Sequence, residues 1–541
     1  MLTLAFPVFL LTHSIGKNLE SVLSQPKSAA MQVVVTYHPL ATQIGTDILN
    51  RGGNAFDAFV GATVAECVLG EGVTSLAGPL GALLYDSKRK SCRFVDAGFN
   101  DPLDPKQKWD ASHPTPGSAV LVPGAIAGLE SISKRYGSMS FSDVIQPSIR
   151  LTEDGFPLNK LYAGLIASVY GANLKKSAYG LKTFFKDGKP LSAGATLKLP
   201  VVGEFLRQVS KNGSGYVYTG QWAKDCLEEV NAQGGHLLAT DFSHYKVEWQ
   251  DPWVIQYRGN TIYSPSCEGG LNTLLCLKLL ENTTLAKLGG PVSKSVKSLE
   301  TMARIQDAAD AETWLEDNRR LNDRRFLASQ FSLEHIGKMW ATVEARLTKP
   351  TAPSPGSHSY HIVIIDKFGN AITGTNTIES LPWGNGIFVQ GIPLTSSGSL
   401  PFQSSPGQRR QSPLSMQIGL KAGKLRFASG AFSASLIPAS FQLISNLIDL
   451  DDSASEAASA PRFGAQAWDI ATMKMIGGRW LDPRIDGSFA DQLGLRGLKF
   501  VQKGYLDLGL GSIGVINADG SPDGAIVPLS SVGMSSGPAN K

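Results

Sequence analysis

Ser359-Tyr360-His361 heads an apolar run, Ile362–Ile365, that turns at Lys367-Phe368-Gly369-Asn370 and returns as the Thr-rich stretch Ala371–Thr377. A small hydroxyl residue therefore stands at the head of a predicted hairpin strand. Eleven residues with a Pro/Ser-rich composition, Thr348–His358, precede it and suit neither helix nor central strand. A cut between His358 and Ser359 would give the second fragment a free α-amino group beside its own hydroxyl. That amine is a base within reach of a nucleophile, the arrangement self-activating hydroxyl enzymes need. Hydroxyl residues at strand starts are common, so the hairpin needs support from the rest of the chain.

Composition narrows the classes. The chain has 541 residues, 42% of them hydrophobic and 18% charged, which suits a water-exposed protein with a large core. Fifty Lys+Arg against 46 Asp+Glu gives a formal charge of +4, no footprint for nucleic acid. The basic clusters Lys88-Arg89-Lys90 and Arg409-Arg410 read as solvated turns. Cys67, Cys92, Cys226, Cys267 and Cys276 are scattered, with no C-x-x-C pair and no His cluster, so neither a disulfide framework nor a metal site is expected. Cys67 and Cys276 fall in apolar helical runs and read as core residues. No cofactor motif appears. The apolar start Met1–Thr12 lacks a basic flank and is broken by Pro7, which favours a soluble cytoplasmic protein over a secreted one.

Along the chain, 1–31 reads as an extension. Val33–Tyr37 is strand-like, and 40–49 has helical spacing closed by Gly52-Gly53. Asn54 caps a second helix, apolar nearly all round and so expected between layers. A hairpin is predicted over 82–85 and 92–95, a strand over Ala119–Pro123, and helix with loop over 160–250. The charged helical run of 300–346, with Arg304, Asp307 and Asp310, reads as solvated faces. A strand at 413–418 is followed by a second at 425–428, the small-residue loop Ser429–Ser435 and a helix over 436–448. A helix N-terminus after such a loop offers backbone N–H groups to an oxyanion.

His38-Pro39-Leu40-Ala41, Gly52-Gly53-Asn54-Ala55-x-Asp57-Ala58 and Val122-Pro123-Gly124 resemble the γ-glutamyltranspeptidase family. So do Glu153-x-Gly155-Phe156-Pro157, Tyr257-Arg258-Gly259-x-x-Ile262-Tyr263-Ser264-Pro265, Asp366-x-x-Gly369-Asn370-Ala371 and Pro413-Leu414-Ser415-Met416. The resemblance spans about residues 32–541. It implies an α/β fold, a four-layer αββα sandwich of the N-terminal-nucleophile hydrolase type. It further implies a precursor cut between His358 and Ser359 into a large region, 32–358, and a small region, 359–541, that stay together as one composite domain and heterodimer. By the same resemblance Ser359 is the nucleophile, where the family has threonine, and Thr377 supports it. Ser433 and Ala434 take the place of a Gly-Gly oxyanion pair, and Ser415 is what remains of a substrate-binding Ser-Ser pair.

The departures bear on substrate. The family's carboxylate-clamping arginine is missing from Asp96–Asp101, and its Asn-Asn-x-x-Asp-Asp stretch is replaced by Leu394–Ser399. The expected activity is an amidase or acyltransferase that acts on a small amide or peptide through a Ser359 acyl-enzyme, with γ-glutamyl as default acyl group. The alternatives are a binding scaffold without catalysis and a repurposed step on a specialised metabolite. A Ser-His-Asp triad is disfavoured: no G-x-S-x-G elbow follows a strand, and His361 and His38 read as structural.

Overall fold

The hairpin does form, and it forms the centre of the molecule. A computed structural model describes residues 32–313, 323–348, 359–400, 405–410, 412–469, 474–502, 508–527 and 535–536. The extension 1–31, the linker from 349 and the cleavage-site residue His358 lie outside the described residues. Strand Ser359–Ile365 pairs antiparallel with Ala371–Thr377, setting Ser359 opposite Thr377 and His361 opposite Thr375. The turn is built by Asp366, whose Oδ1 accepts from the backbone N of Phe368 (2.9 Å) and Asn370 (3.0 Å). Gly369 supplies the left-handed residue, φ 80°.

The first sheet runs 535–536, Val33–Val35, Ser359–Ile365, Ala371–Thr377, Leu80–Asp86, Ser91–Ala97 and Glu248–Gln250. Strands from both sides of position 359 are interleaved in it. The second sheet runs Pro522–Ile526, Leu510–Ile516, Lys424–Phe432, Met416–Lys421, Asn260–Ser264 and Trp253–Tyr257. Every pairing in both sheets is antiparallel. Side-chain parity decides what meets between them. Odd-numbered residues of the central hairpin face the second sheet: a Cβ on Gly514 would touch Val363 and Ile365, and one on Gly430 would strike His361. Even-numbered residues face the other way, and Gly374 lies against Phe59 of helix Ala55–Leu69.

That helix is buried at every position, so its apolar surface forms the outer layer of the first sheet. It starts in a capping box: Asn54 Oδ1 accepts from the N of Phe56 and Asp57, and Asp57 Oδ2 accepts from Asn54 N at 2.9 Å. Asp366 Oδ2 also accepts from Ala55 N at 2.8 Å, fastening the hairpin turn to the helix. Helices Glu268–Leu280, Val296–Thr313 and Leu436–Asp449 cover the second sheet and share its outer core with Phe427, Ile513 and Val515. The result is the four-layer αββα sandwich.

Several expectations need correcting. Ala119–Pro123 is not a strand; its backbone forms a 3-10 turn and one isolated bridge, Val122 to Asn100. The strand expected to stop at 428 runs to Phe432, because Leu510–Ile516 pairs with it up to Phe432–Leu510. Short strands interrupt 160–250, including Thr196–Leu197 and Phe185–Lys186. The charged face of 296–313 is largely internal: Arg479 comes from strand Lys474–Leu481 to bond Asp307 and Asp310, and Arg304 bonds Glu300. Arg409 and Arg410 are likewise buried ion-pair partners rather than a solvated turn. All five cysteines are free and buried, and no metal-competent cluster of His, Cys, Asp or Glu occurs among the described residues. No described helix is long and apolar enough to cross a membrane.

Candidate active site

The polar residues of the central hairpin gather at one end of the space between the sheets. Ser359, His361, Thr373, Thr375 and Thr377 all occupy the inward parity, a costly choice unless each finds partners. His361, fully buried, bonds Thr375 Oγ1 through Nδ1 (2.8 Å) and Thr373 Oγ1 through Nε2 (2.6 Å). Thr373 donates to the Ser429 carbonyl (3.2 Å), so the network assigns the ring proton to Nε2 and makes Thr375 the donor to Nδ1. Burial lowers the His361 pKa to about 3. The ring is a neutral brace between two strands of the first sheet, with Thr373 carrying the network across to the second, and it is not a base. His38 is also structural: its Nδ1 accepts from Leu40 N at the start of helix Pro39–Asn50.

Ser359, 6% exposed, ends the inward row, directly across from Thr377. Thr377 Oγ1 accepts from the backbone N of Glu379 at 2.8 Å. A hydroxyl that accepts there is set to donate elsewhere. The glycine loop 74–81 packs on this strand end. Asn376 holds it, accepting from Ser75 N and donating to the carbonyls of Ser75 and Pro79. Gly78 is required by proximity, since a Cβ there would lie 2.1 Å from the Thr377 carbonyl oxygen.

The second sheet brings Ser433 and Ala434 to the same end. Gly430 lies against His361, and Phe432 meets Tyr360 edge-on at 6.4 Å, so the turn after Phe432 falls level with Ser359. Ser433 is left-handed, φ 77°, a conformation glycine adopts without strain. Ala434 N–H has no acceptor among the described residues, and helix Leu436–Asp449 begins just beyond, its first-turn amides oriented toward the turn. Ser415 is committed internally: its hydroxyl bonds Thr273 Oγ1 (2.8 Å) and accepts from Gln417 Nε2 (3.1 Å).

The loop that lacks the expected arginine receives one from elsewhere. Arg410 N donates to the Phe99 carbonyl at 2.8 Å, and its Nε lies 3.2 Å from Asp101 Oδ1, a charge contact without hydrogen-bond alignment. Its Nη1 donates to the Ser397 carbonyl at 2.6 Å, linking the 96–101 loop to the 394–399 loop. Glu379, buried beside them, has its pKa raised to about 7 by desolvation, against the pull of a Ser412 hydrogen bond and the Arg410 charge. Sequence reasoning missed Glu379 and took Arg410 for solvent-facing. The available signal was a charged residue only two positions after Thr377.

Fold and site define a class: a two-sheet sandwich with a hydroxyl residue heading a central strand, beside a turn that presents backbone amides. The sequence profile of the gamma-glutamyltranspeptidase family matches residues 41–527, and the chain belongs to that family. It is an enzyme of the amide hydrolase and acyltransferase kind that the family comprises. It is 28% identical over 494 residues to the glutathione hydrolase proenzyme of Escherichia coli strain K12, covering 84% of each chain. It is 26% identical over 535 residues to the acylase ACY 1 proenzyme of Pseudomonas sp. strain SE83, covering 93% of this chain and 92% of the other. A crystal structure of cephalosporin acylase from Bacillus halodurans shares the fold, with a TM-score of 0.78 at 20% identity over 96% of this chain and 98% of that one.

Proposed function

We propose that the chain cuts itself before Ser359 and then transfers acyl groups from an amide through a Ser359 ester. The observation that carries this reading is the pairing of Ser359 with Thr377, whose hydroxyl already accepts from Glu379. In the first step Ser359 Oγ attacks the His358 carbonyl and the peptide nitrogen leaves as a free amine. Water then hydrolyses that ester, giving His358 a carboxylate. The interleaving of strands from both regions in the first sheet supports a heterodimer of 32–358 and 359–541 that stays assembled.

In turnover the α-amine of Ser359 takes the Oγ proton as Oγ attacks the substrate carbonyl. Thr377 donates to Oγ and fixes its direction. The Ser433–Ser435 backbone receives the oxyanion, and the amine leaves carrying the proton from the α-ammonium group. Water or a second amine reverses the sequence and frees Ser359. The acyl group is γ-glutamyl or a related acyl, a reading supported by relatives named as a glutathione hydrolase and an acylase.

Denaturing electrophoresis with N-terminal sequencing tests the proposal. Cleavage splits 57.7 kDa in the proportion 358 to 183 residues, giving bands near 38 and 19 kDa, the smaller beginning Ser-Tyr-His. A persistent single band with no turnover of γ-glutamyl or glutaryl p-nitroanilide defeats it and leaves a binding scaffold.

A further inference from the structure

Glu379, two residues beyond Thr377, combines a buried acid with a constrained backbone. Glu379 has φ 52°, left-handed and strained for a side chain of its size. It is 3% exposed, and its Oε1 has no hydrogen-bond partner. Strain and a buried acid persist together only where surrounding structure holds them. The holding groups are Ser412, which hydrogen-bonds the carboxyl, and Arg410, whose charge lies close by; Asp96 opposes them. Arg410 is in turn paired with Asp101, and Asp96 with Arg409. The neighbouring backbone is also pinned: Ile378 N donates to the Val73 carbonyl, and Thr395 Oγ1 donates to the Ile378 carbonyl at 2.6 Å. The left-handed turn aims Glu379 N–H at Thr377 Oγ1.

We propose that Glu379 is a positioning residue: its anchored carboxyl holds a left-handed backbone whose N–H occupies one lone pair of Thr377, committing that hydroxyl to donate to Ser359. The role rests on the reaction proposed above, but the geometry can be read without turnover. Glu379 acts through Thr377 and does not need to touch the acyl group. Its carboxyl is held by Ser412 and Arg410 against the repulsion of Asp96, so its protonation changes the anchor rather than the nucleophile. Glutamine in the same place keeps the shape and the hydrogen bond without titrating.

Two measurements test this. In the uncleaved Ser359→Ala chain, residue-resolved hydrogen exchange should show a protected Glu379 amide that loses protection in Thr377→Val and in Glu379→Ala, but not in Glu379→Gln. Unchanged exchange in Thr377→Val overturns the proposal whether or not the protein is an enzyme. In the processed protein, with γ-glutamyl p-nitroanilide, Glu379→Ala should lower kcat about tenfold at unchanged KM, the loss of one positioning hydrogen bond. Glu379→Gln should restore kcat and flatten any limb of the pH profile near 7. Glu379→Ala combined with Thr377→Val should lose no more than Thr377→Val alone. A KM effect with intact kcat, or additive losses, would make Glu379 a substrate contact or an independent structural residue. Absence of self-cleavage in the unsubstituted protein defeats the reaction but leaves the exchange result to decide the positioning role.

Discussion

Gly430→Ala tests whether the two sheets meet as tightly as the site requires. A Cβ at 430 would lie 2.2 Å from His361 Cε1 and 2.3 Å from its Nε2, roughly 1.2 Å inside ordinary contact, and 2.9 Å from the Ser415 carbonyl oxygen. The ring cannot swing aside cheaply. Both its nitrogens are engaged, at 2.8 and 2.6 Å, and it is fully buried. The carbonyl sits at the start of strand Met416–Lys421 and accepts from Ala431 N at 3.3 Å, so it cannot rotate freely. Overpacking of this sort costs about 1–3 kcal/mol. Losing one ring hydrogen bond and leaving a buried partner unsatisfied adds about 1–3 kcal/mol. Relief of glycine's backbone entropy returns only about 0.5–1 kcal/mol. The balance is a loss of about 1–5 kcal/mol, centred near 3.

The assay is urea denaturation followed by tryptophan fluorescence, in the Ser359→Ala background so that every chain is uncut. Gly164→Ala is the control, because nothing lies within 4 Å of its added methyl and the residue sits in helix Lys160–Ala167. It should be neutral or gain up to about 1 kcal/mol. In the Ser359 chain, Gly430→Ala should also slow self-cleavage, since the displaced strand carries the turn at Ser433. Stability within about 0.5 kcal/mol of the parent, the range of an ordinary surface change, would refute the tight-contact argument.

Thr377→Val keeps the shape of the strand and removes the hydroxyl; self-cleavage followed by electrophoresis should slow at least about a hundredfold, the low end for a positioned proton donor. His361 has a folded pKa near 3, below the unfolded value, so protons bind preferentially to the unfolded chain between about pH 3 and 6.5. Its contribution is therefore present above about pH 6.5 and lost as pH falls through that window. His361→Gln should flatten that part of the curve of denaturation midpoint against pH, and an unchanged slope would count against the neutral brace. Asp307→Ala strips the buried Arg479 guanidinium of a contact at 3.0 Å and should cost about 3–5 kcal/mol in the same denaturation assay, whereas Asp307→Leu with Arg479→Met should recover most of it.

Features whose causes are local could be read from the sequence. The Asp366–Asn370 turn and the Asn54–Asp57 capping box close within four residues, so residue type alone implies the geometry. Hairpin parity followed as well, since alternation from Ser359 fixes which side chains share a face. Features whose causes are distant could not. Arg410 looked like one more basic turn residue because its partner, Asp101, stands more than 300 positions away. Asp307 looked solvated because its partner, Arg479, reaches it from a strand 172 positions away. Ala119–Pro123 has the composition of a strand, yet Val122 finds only an isolated bridge and the run never joins a ladder.

The same division explains why a resemblance points to a candidate nucleophile more readily than to a substrate. Ser359, Thr377 and the Ser433–Ser435 turn are fixed by hairpin register and by the end of a strand, so sequence position and spatial position agree. The charges near this end of the hairpin, Asp96, Asp101, Glu379 and Arg410, come from separate segments, and no spacing rule connects them. An arginine lost from one loop can be replaced in space by Arg410 from another, already linked to both loops through Phe99, Asp101 and Ser397. Arg410 is engaged by Asp101, so any acyl group with a free carboxylate would have to compete with that pair. Asp101→Asn releases the guanidinium and should lower KM for glutaryl and γ-glutamyl anilides alike. A KM for either anilide that is unchanged in Arg410→Gln would show that the anion is held by something other than this arginine.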